Sequence, residues 1–184
     1  TPMVRVPWNE PSIIMRSLDA GAYGVICPMI NNKDECYKFV SACRYHPRGN
    51  RSFGPARARI YAGADYLDHA DDTIINFAMI ETREAVKNLE DILSVEELDA
   101  VYVGPSDLAI SLGYKPMKEE KEVEDTIKFI VDSCKKKNIK AGIHCPNGEV
   151  CKKRFEMGYN LATIAADFAL LASASAAEIK IAKN

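Results

Sequence analysis

Six short apolar runs recur along this chain, and they are largely non-alternating: Met3–Val6, Gly24–Pro28, Asn76–Ile80, Ala100–Val103, Lys140–His144 and Leu161–Ala165. Strands that read this way are covered on both faces, which implies a parallel sheet packed beneath helices. Helical signals fill the intervals. Glu10-Pro11-Ser12 opens a helix with Ile13, Ile14 and Leu18 at helical spacing, and Gly21 ends it. Asn32 or Asp34 can cap a helix running to about Arg44. Pro47–Arg59 reads as a long Pro/Gly/Arg-rich loop and Asp65–Asp72 as a short helix. Further helices are expected over Thr82–Leu89, Ser106–Leu112, Glu119–Lys137, Gly148–Met157 and Phe168–Ala182, with a loop at Gly113–Met117 and a turn near Ser94. That makes six strand–helix units in 184 residues with no repeat, linker or low-complexity segment, so residues 1–184 are expected to form one domain. A (β/α)8 barrel typically needs roughly 250 residues. The chain is therefore expected to be short of a barrel by about two units, the missing part preceding Thr1. An open, doubly wound six-stranded sheet is the alternative, although no Gly-rich phosphate turn follows the first strand.

The charge balance, 24 basic against 26 acidic residues, has no basic block suited to nucleic acid. Lys135-Lys136-Lys137 ends a helix, where cations complement the dipole, and reads as a solvated face. No apolar stretch is long enough to span a membrane, and the start does not resemble a signal peptide. The six cysteines form no CxxC pair and fall mostly on apolar positions, which suits reduced, buried thiols in a cytoplasmic protein. The spacing of His144, Cys145 and Cys151 matches no common zinc pattern.

Two runs end abruptly in an acid. Phe77-Ala78-Met79-Ile80 leads into Glu81, and Val101-Tyr102-Val103-Gly104-Pro105-Ser106 leads into Asp107. In a parallel α/β sheet both carboxylates then lie at the C-terminal edge, where such folds place ligands. Two convergent carboxylates with nothing soft beside them suit a hard divalent cation, Mg²⁺ or Mn²⁺. Each acid has a plainer role as a helix-start residue satisfying backbone N–H groups. Arg5 interrupts an otherwise apolar run, either as a buried ion-pair partner or as a charge for the pocket.

Six segments, in order, resemble one family: Val4-Arg5-Val6-Pro7-Trp8-Asn9-Glu10-Pro11, Leu18-Asp19-Ala20-Gly21-Ala22, Pro28-Met29, Arg44-Tyr45-His46-Pro47-Arg48-Gly49-Asn50-Arg51, Ile80-Glu81-Thr82-Arg83-Glu84-Ala85 and Gly104-Pro105-Ser106-Asp107-Leu108. Together they are similar to the pyruvate-dependent class II aldolases represented by 4-hydroxy-2-oxoheptanedioate aldolase and 2-dehydro-3-deoxyglucarate aldolase, within the superfamily that includes the citrate lyase β subunit. The resemblance implies a TIM-type (β/α)8 barrel of the phosphoenolpyruvate/pyruvate-binding kind, of which this chain supplies strands three to eight. It implies a divalent metal (Mg²⁺ or Mn²⁺, possibly Co²⁺) on Glu81 and Asp107. Arg5 would meet the keto oxygen of pyruvate, where a fixed, always charged fork can stabilise an enolate. The helix start at Gly104, Pro105 and Ser106 would bind the pyruvate carboxylate through backbone N–H groups. Asp19, otherwise an exposed helix-end residue, would join a proton relay with a histidine. None of His46, His69 and His144 matches that histidine, although His144, at a strand end, could face the pocket.

The implied reaction is reversible aldol cleavage of a 4-hydroxy-2-oxo acid to pyruvate and an aldehyde, a carbon–carbon lyase chemistry, with a water or the family's histidine moving protons. No lysine stands at a matching strand end to form a Schiff base. Arg48, Arg51, Arg57 and Arg59 form a basic loop that reads as solvated with local ion pairs; the resemblance implies a place near the aldehyde side of the pocket, where it would favour acidic aldehydes, or at a subunit contact. A carbon–carbon lyase acting on CoA thioesters and a catalytically silent 2-oxo-acid-binding fragment are the rivals. The family further implies a homo-oligomer, trimer or hexamer, with an exchanged C-terminal helix. Two open apolar edges, near Met3–Val6 and Leu161–Ala165, are expected to leave the isolated chain poorly stable and without aldol cleavage.

Overall fold

The computed structural model describes residues 1–183. Its core is a six-stranded parallel sheet in strictly sequential order. The strands are β1 (Met3–Arg5), β2 (Gly24–Cys27), β3 (Ile75–Ile80), β4 (Ala100–Val103), β5 (Lys140–Cys145) and β6 (Leu161–Ile164). Each βα unit lies beside the one before it, as in the wall of a barrel. A doubly wound sheet instead reverses its order at a switch point, and that alternative is excluded.

Register assigns every strand residue to a face. Val25, Cys27, Ala78, Ile80, Val101, Val103, Ala141 and Ile143 join the large apolar cluster shared with the helices. Ile26, Phe77, Met79, Ala100 and Tyr102, with Leu161 packed against them, form a second cluster on the other face. Apolar residues on both faces are why these strands do not alternate. Gly142 belongs to the inner layer, where an added Cβ would lie 2.9 Å from the Tyr102 ring.

The helices are α1 (Pro11–Asp19), α2 (Lys33–Cys43), α3 (Ala56–Ala62), α4 (Tyr66–Thr73), α5 (Arg83–Lys87), α6 (Leu89–Ile92), α7 (Pro105–Ser111), α8 (Lys121–Lys136), α9 (Gly148–Met157) and α10 (Asp167–Ala182). Glu10 caps α1, its carboxylate accepting from the Ser12 and Ile13 N–H groups. Asn32 rather than Asp34 caps α2. Two expectations are corrected. The Arg-rich loop stops at Pro55, because Ala56–Ala62 is helical. The helix expected over Thr82–Leu89 is two pieces that meet at Asn88. All six cysteines are buried and unpaired. No helix among the described residues is long and apolar enough to cross a membrane.

The two outer strands differ from the rest. Every residue of β1 is exposed, and no residue of β6 is fully buried. Helix α10 buries none of its side chains and presents Phe168, Leu170, Leu171, Ile179 and Ile181 to solvent.

Candidate active site

Glu81 follows the last residue of β3, and the strand carries it into the interior with 1 % of its surface exposed. Its Oε1 accepts the Met29 N–H at 2.8 Å. Its Oε2 is buried and has no partner among the described residues. Burial pushes the Glu81 carboxyl upward from its ordinary value; the Met29 N–H opposes this, Asp107 adds to it and the Arg5 charge opposes it. A buried carboxyl raised in this way, at a sheet edge and with one oxygen free, is a site candidate on physical grounds.

Asp107 stands in the first turn of α7 and is exposed. Among the described residues no side chain caps that helix, so its first N–H groups, with Ser106 among them, are open to an anion. Gly104 precedes it and is fitted closely to Glu81. A Cβ there would stand 2.5 Å from Glu81 Oε2 and 3.1 Å from the Met79 terminal methyl. The Gly104 backbone, at φ −100°, is open to any residue, so space alone requires the glycine. Gly104→Ala is therefore expected to fold normally yet displace the Glu81 carboxylate. Divalent-cation affinity should fall about tenfold or more, as when a ligand loses its support, with a near-parental melt; Mn²⁺ titration checks it.

Arg5, the last residue of β1, is in register with Ile26, which in turn pairs with Phe77. Both belong to the inner cluster, so Arg5 stands on the inner face. It is exposed, and among the described residues no carboxylate lies within ion-pair distance of it. The buried ion-pair role is thereby excluded. His144 is also exposed and on this face, its Nδ1 3.0 Å from Thr163 Oγ1, which also bonds Tyr102. His46 is exposed, and His69 lies 3.6 Å from Asp65 on the surface of α4.

Asp19 is not with these residues. It ends α1, a helix that leaves the C-terminal sheet edge and returns to the N-terminal one before β2 begins. There it bonds Arg51 Nη2 at 2.7 Å. The Arg51 side chain is fully buried, its guanidinium 4.5 Å from the Tyr45 ring centroid and 5.7 Å from that of Tyr66. Arg48 is engaged by Glu97 and Asp72. Arg57 lies over the Tyr61 ring at 5.9 Å. Arg48 and Arg51 are thus engaged on the edge opposite Glu81, which corrects an aldehyde-attracting role for these two in this chain's own pocket.

Sequence reasoning missed the Met29 N–H. A backbone donor leaves no residue signature, and the left-handed φ of +56° at Met29 is not legible in a methionine.

The comparisons agree with this geometry. The family model described as HpcH/HpaI aldolase/citrate lyase matches residues 1–173. A hydroxypyruvate/pyruvate aldolase from Rhizorhabdus wittichii is 43% identical over 176 residues, covering 95% of this chain and 70% of its own. A 4-hydroxy-2-oxo-heptane-1,7-dioate aldolase from Shigella flexneri is 38% identical over 179 residues, covering 96% and 67%. A crystal structure of an HpcH/HpaI aldolase/citrate lyase family protein from Burkholderia cenocepacia superposes with a TM-score of 0.91 at 28% identity, over 100% of this chain and 74% of that one. A family match running nearly end to end, on a sheet whose C-terminal edge holds the acid pair, leaves one assignment: the chain belongs to the HpcH/HpaI aldolase/citrate lyase family.

Proposed function

We propose that this chain carries out metal-dependent, reversible aldol cleavage of a 4-hydroxy-2-oxo acid into pyruvate and an aldehyde. Family membership makes it a carbon–carbon lyase of the aldolase kind. The observation that carries the finer reading is the orphaned, buried Oε2 of Glu81 beside Asp107. A hard divalent cation (Mg²⁺, Mn²⁺ or Co²⁺) fits there. It supplies the positive partner that a buried carboxylate lacks, and the donor set is oxygen alone. Among the described residues no cluster of three or more His, Cys, Asp and Glu side chains could hold a metal. Two carboxylates with the remaining positions left to water and substrate is the usual Mg²⁺ arrangement. Glu81 and Asp107 would hold such a cation, which would supply Lewis-acid polarisation of a bound 2-oxo acid.

The chain's own residues do the rest. Arg5 presents its guanidinium to the keto oxygen, where negative charge develops as the C–C bond breaks. The open N–H of Ser106 at the start of α7 receives the carboxylate, with Gly104 and Pro105 setting the turn. Asp19, on the opposite edge, acts in proton transfer only where a second copy brings a pocket to it. That requirement accords with a homo-oligomer, which the apolar exposed surface of α10 also favours through exchange between subunits. The six buried thiols suit the cytoplasm. The sequential sheet suits residues 1–184 as one domain, strands three to eight of an eight-stranded barrel.

The test is exchange of the pyruvate methyl protons in D₂O, followed by NMR with Mg²⁺ or Mn²⁺, together with pyruvate release from a 4-hydroxy-2-oxo acid. Both should require the cation and stop with a chelator. Arg5→Lys should keep the fold and metal yet lose exchange by about 100-fold, the scale of one lost oxyanion donor. Exchange indifferent to the chelator, or turnover confined to a CoA thioester, would sink the reading.

A further inference from the structure

Glu81 is held by one backbone group, so the question is what holds that group. Met29 sits at φ +56°, an uncommon conformation for a residue with a long side chain. This conformation is kept because the surrounding contacts fix it. The fixing residue is Asn31, two positions on, and all four of its polar groups are engaged. Its N–H donates to Glu35 Oε2 at 2.7 Å. Its carbonyl accepts from Asn88 Nδ2 at 2.8 Å. Its own Nδ2 donates to the Met29 carbonyl at 3.1 Å. Its Oδ1 accepts from the Thr82 hydroxyl. Thr82 directly follows Glu81, so the loop after β2 and the turn after β3 are fastened together on both sides of the carboxylate.

We propose that Asn31 is a positioning residue for Glu81: it locks the Met29 loop so that one carboxylate oxygen is held and the other is left free for a divalent cation. This deepens the reading above and rests on Glu81 being a metal ligand. The Asn31–Thr82 latch does for this carboxylate what outer-shell hydrogen bonds do for metal ligands generally: it fixes orientation before the cation arrives. The next residue, Arg83, continues the fastening towards Asp107. Its N–H donates to Ser111 Oγ at 2.9 Å and its guanidinium to the Leu112 carbonyl at 3.1 Å, tying the same turn to α7 and its C-terminal end. The loops after three neighbouring strands are thus joined in series around the acid pair.

The experiment is Mn²⁺ titration, read from the paramagnetic resonance signal of free Mn²⁺, with metal-free melts alongside. Asn31→Ala and Thr82→Val should each weaken Mn²⁺ by about tenfold, and Thr82→Ser should bind like the parent. Thr82 also caps α5 through the Ala85 N–H at 3.0 Å, and losing that cap moves the melt rather than the affinity. Parental Mn²⁺ affinity in Asn31→Ala and Thr82→Val, with binding lost in Glu81→Gln, overturns the latch and leaves the metal ligand standing. Parental affinity in Glu81→Gln itself overturns the ligand reading and the latch with it. If Asn31→Ala does not fold, the Thr82 pair decides: weakened valine with parental serine supports the latch, and a parental valine variant overturns it.

Discussion

Glu81→Gln is expected to lower Mn²⁺ affinity by at least about 100-fold, since even an outer-shell partner of a ligand is worth about 10–100-fold. The metal-free protein, by contrast, should melt at or above the parental temperature. Both effects come from the same buried atom. Glu81 is 1 % exposed, and its Oε2 has no partner among the described residues. An ionised carboxylate there is costly, which is why burial drives its pKa upward. An amide of the same shape removes the charge and still offers an oxygen to the Met29 N–H, so the fold loses little. It also removes the anionic oxygen a divalent cation needs. The sign with pH follows. A carboxyl whose folded pKa is raised binds its proton more tightly in the native state. Its stabilising contribution is therefore complete below the unfolded pKa and is lost as pH rises through the folded value. The stability of Glu81→Gln relative to the parent should accordingly increase as the pH is raised across that interval in a metal-free buffer. A variant that binds Mn²⁺ like the parent, or whose relative stability falls with rising pH, would contradict the assignment. Asp107→Asn should lose less, because Asp107 is exposed and its charge is screened.

The acid pair was legible in the sequence because a parallel strand advertises its end. An apolar run such as Phe77–Ile80 can stop only where the chain reaches the sheet edge, and the next residue is Glu81. The same logic places Arg5, since a charge at the end of a short strand must lie at that edge. Asp19 shows the converse. Its motif suggests the pocket, yet a helix that begins at the C-terminal edge must finish at the other one, and its carboxylate is found with Arg51 there. The resemblance supplied a role, and the direction of the helix limits where that role can be exercised. What stayed hidden was held by backbone and long-range polar contacts. The break between α5 and α6 at Asn88 coincides with that side chain reaching Asn31, 57 residues away. A run of good helix formers carries no sign of it. Arginine was equally opaque. Arg48, Arg51, Arg57 and Arg59 read alike in a loop, but burial separates Arg51 from the others, and the guanidinium that organises the far edge is Arg44, at the end of α2 before that loop.

Arg44→Ala is expected to cost about 2–4 kcal/mol of unfolding free energy, below the full cost of stranding a buried charge because its acidic partners are partly solvated. Arg44 closes α2 with 1 % of its side chain exposed, whereas Asp99 and Glu97 keep 35% and 31%. Its Nη1 donates to the Ile74 carbonyl at 2.8 Å, and its Nη2 meets Asp99 Oδ2 at 2.5 Å. The same Asp99 oxygen accepts the Asn76 N–H at 2.8 Å. Asn76, buried at the start of β3, completes the ring through the Glu97 carbonyl at 2.9 Å and the Asp99 N–H at 3.1 Å. One guanidinium thus joins the end of α2 to the beginnings of β3 and β4. Alanine leaves the Ile74 carbonyl without this donor, Asp99 without its counter-charge and Glu97 with Arg48 alone, and it also opens a cavity where a large, fully buried side chain stood. Arg44→Lys should recover part of the loss, because an ammonium restores the charge but not the fork that serves a carbonyl and a carboxylate at once. Urea unfolding measures both variants. Because Glu81 lies at the other end of the sheet, Mn²⁺ affinity at low denaturant should match the parent. An alanine variant as stable as the parent would show that the ring is dispensable, and one that folds but loses Mn²⁺ would show that the two edges of the sheet are coupled.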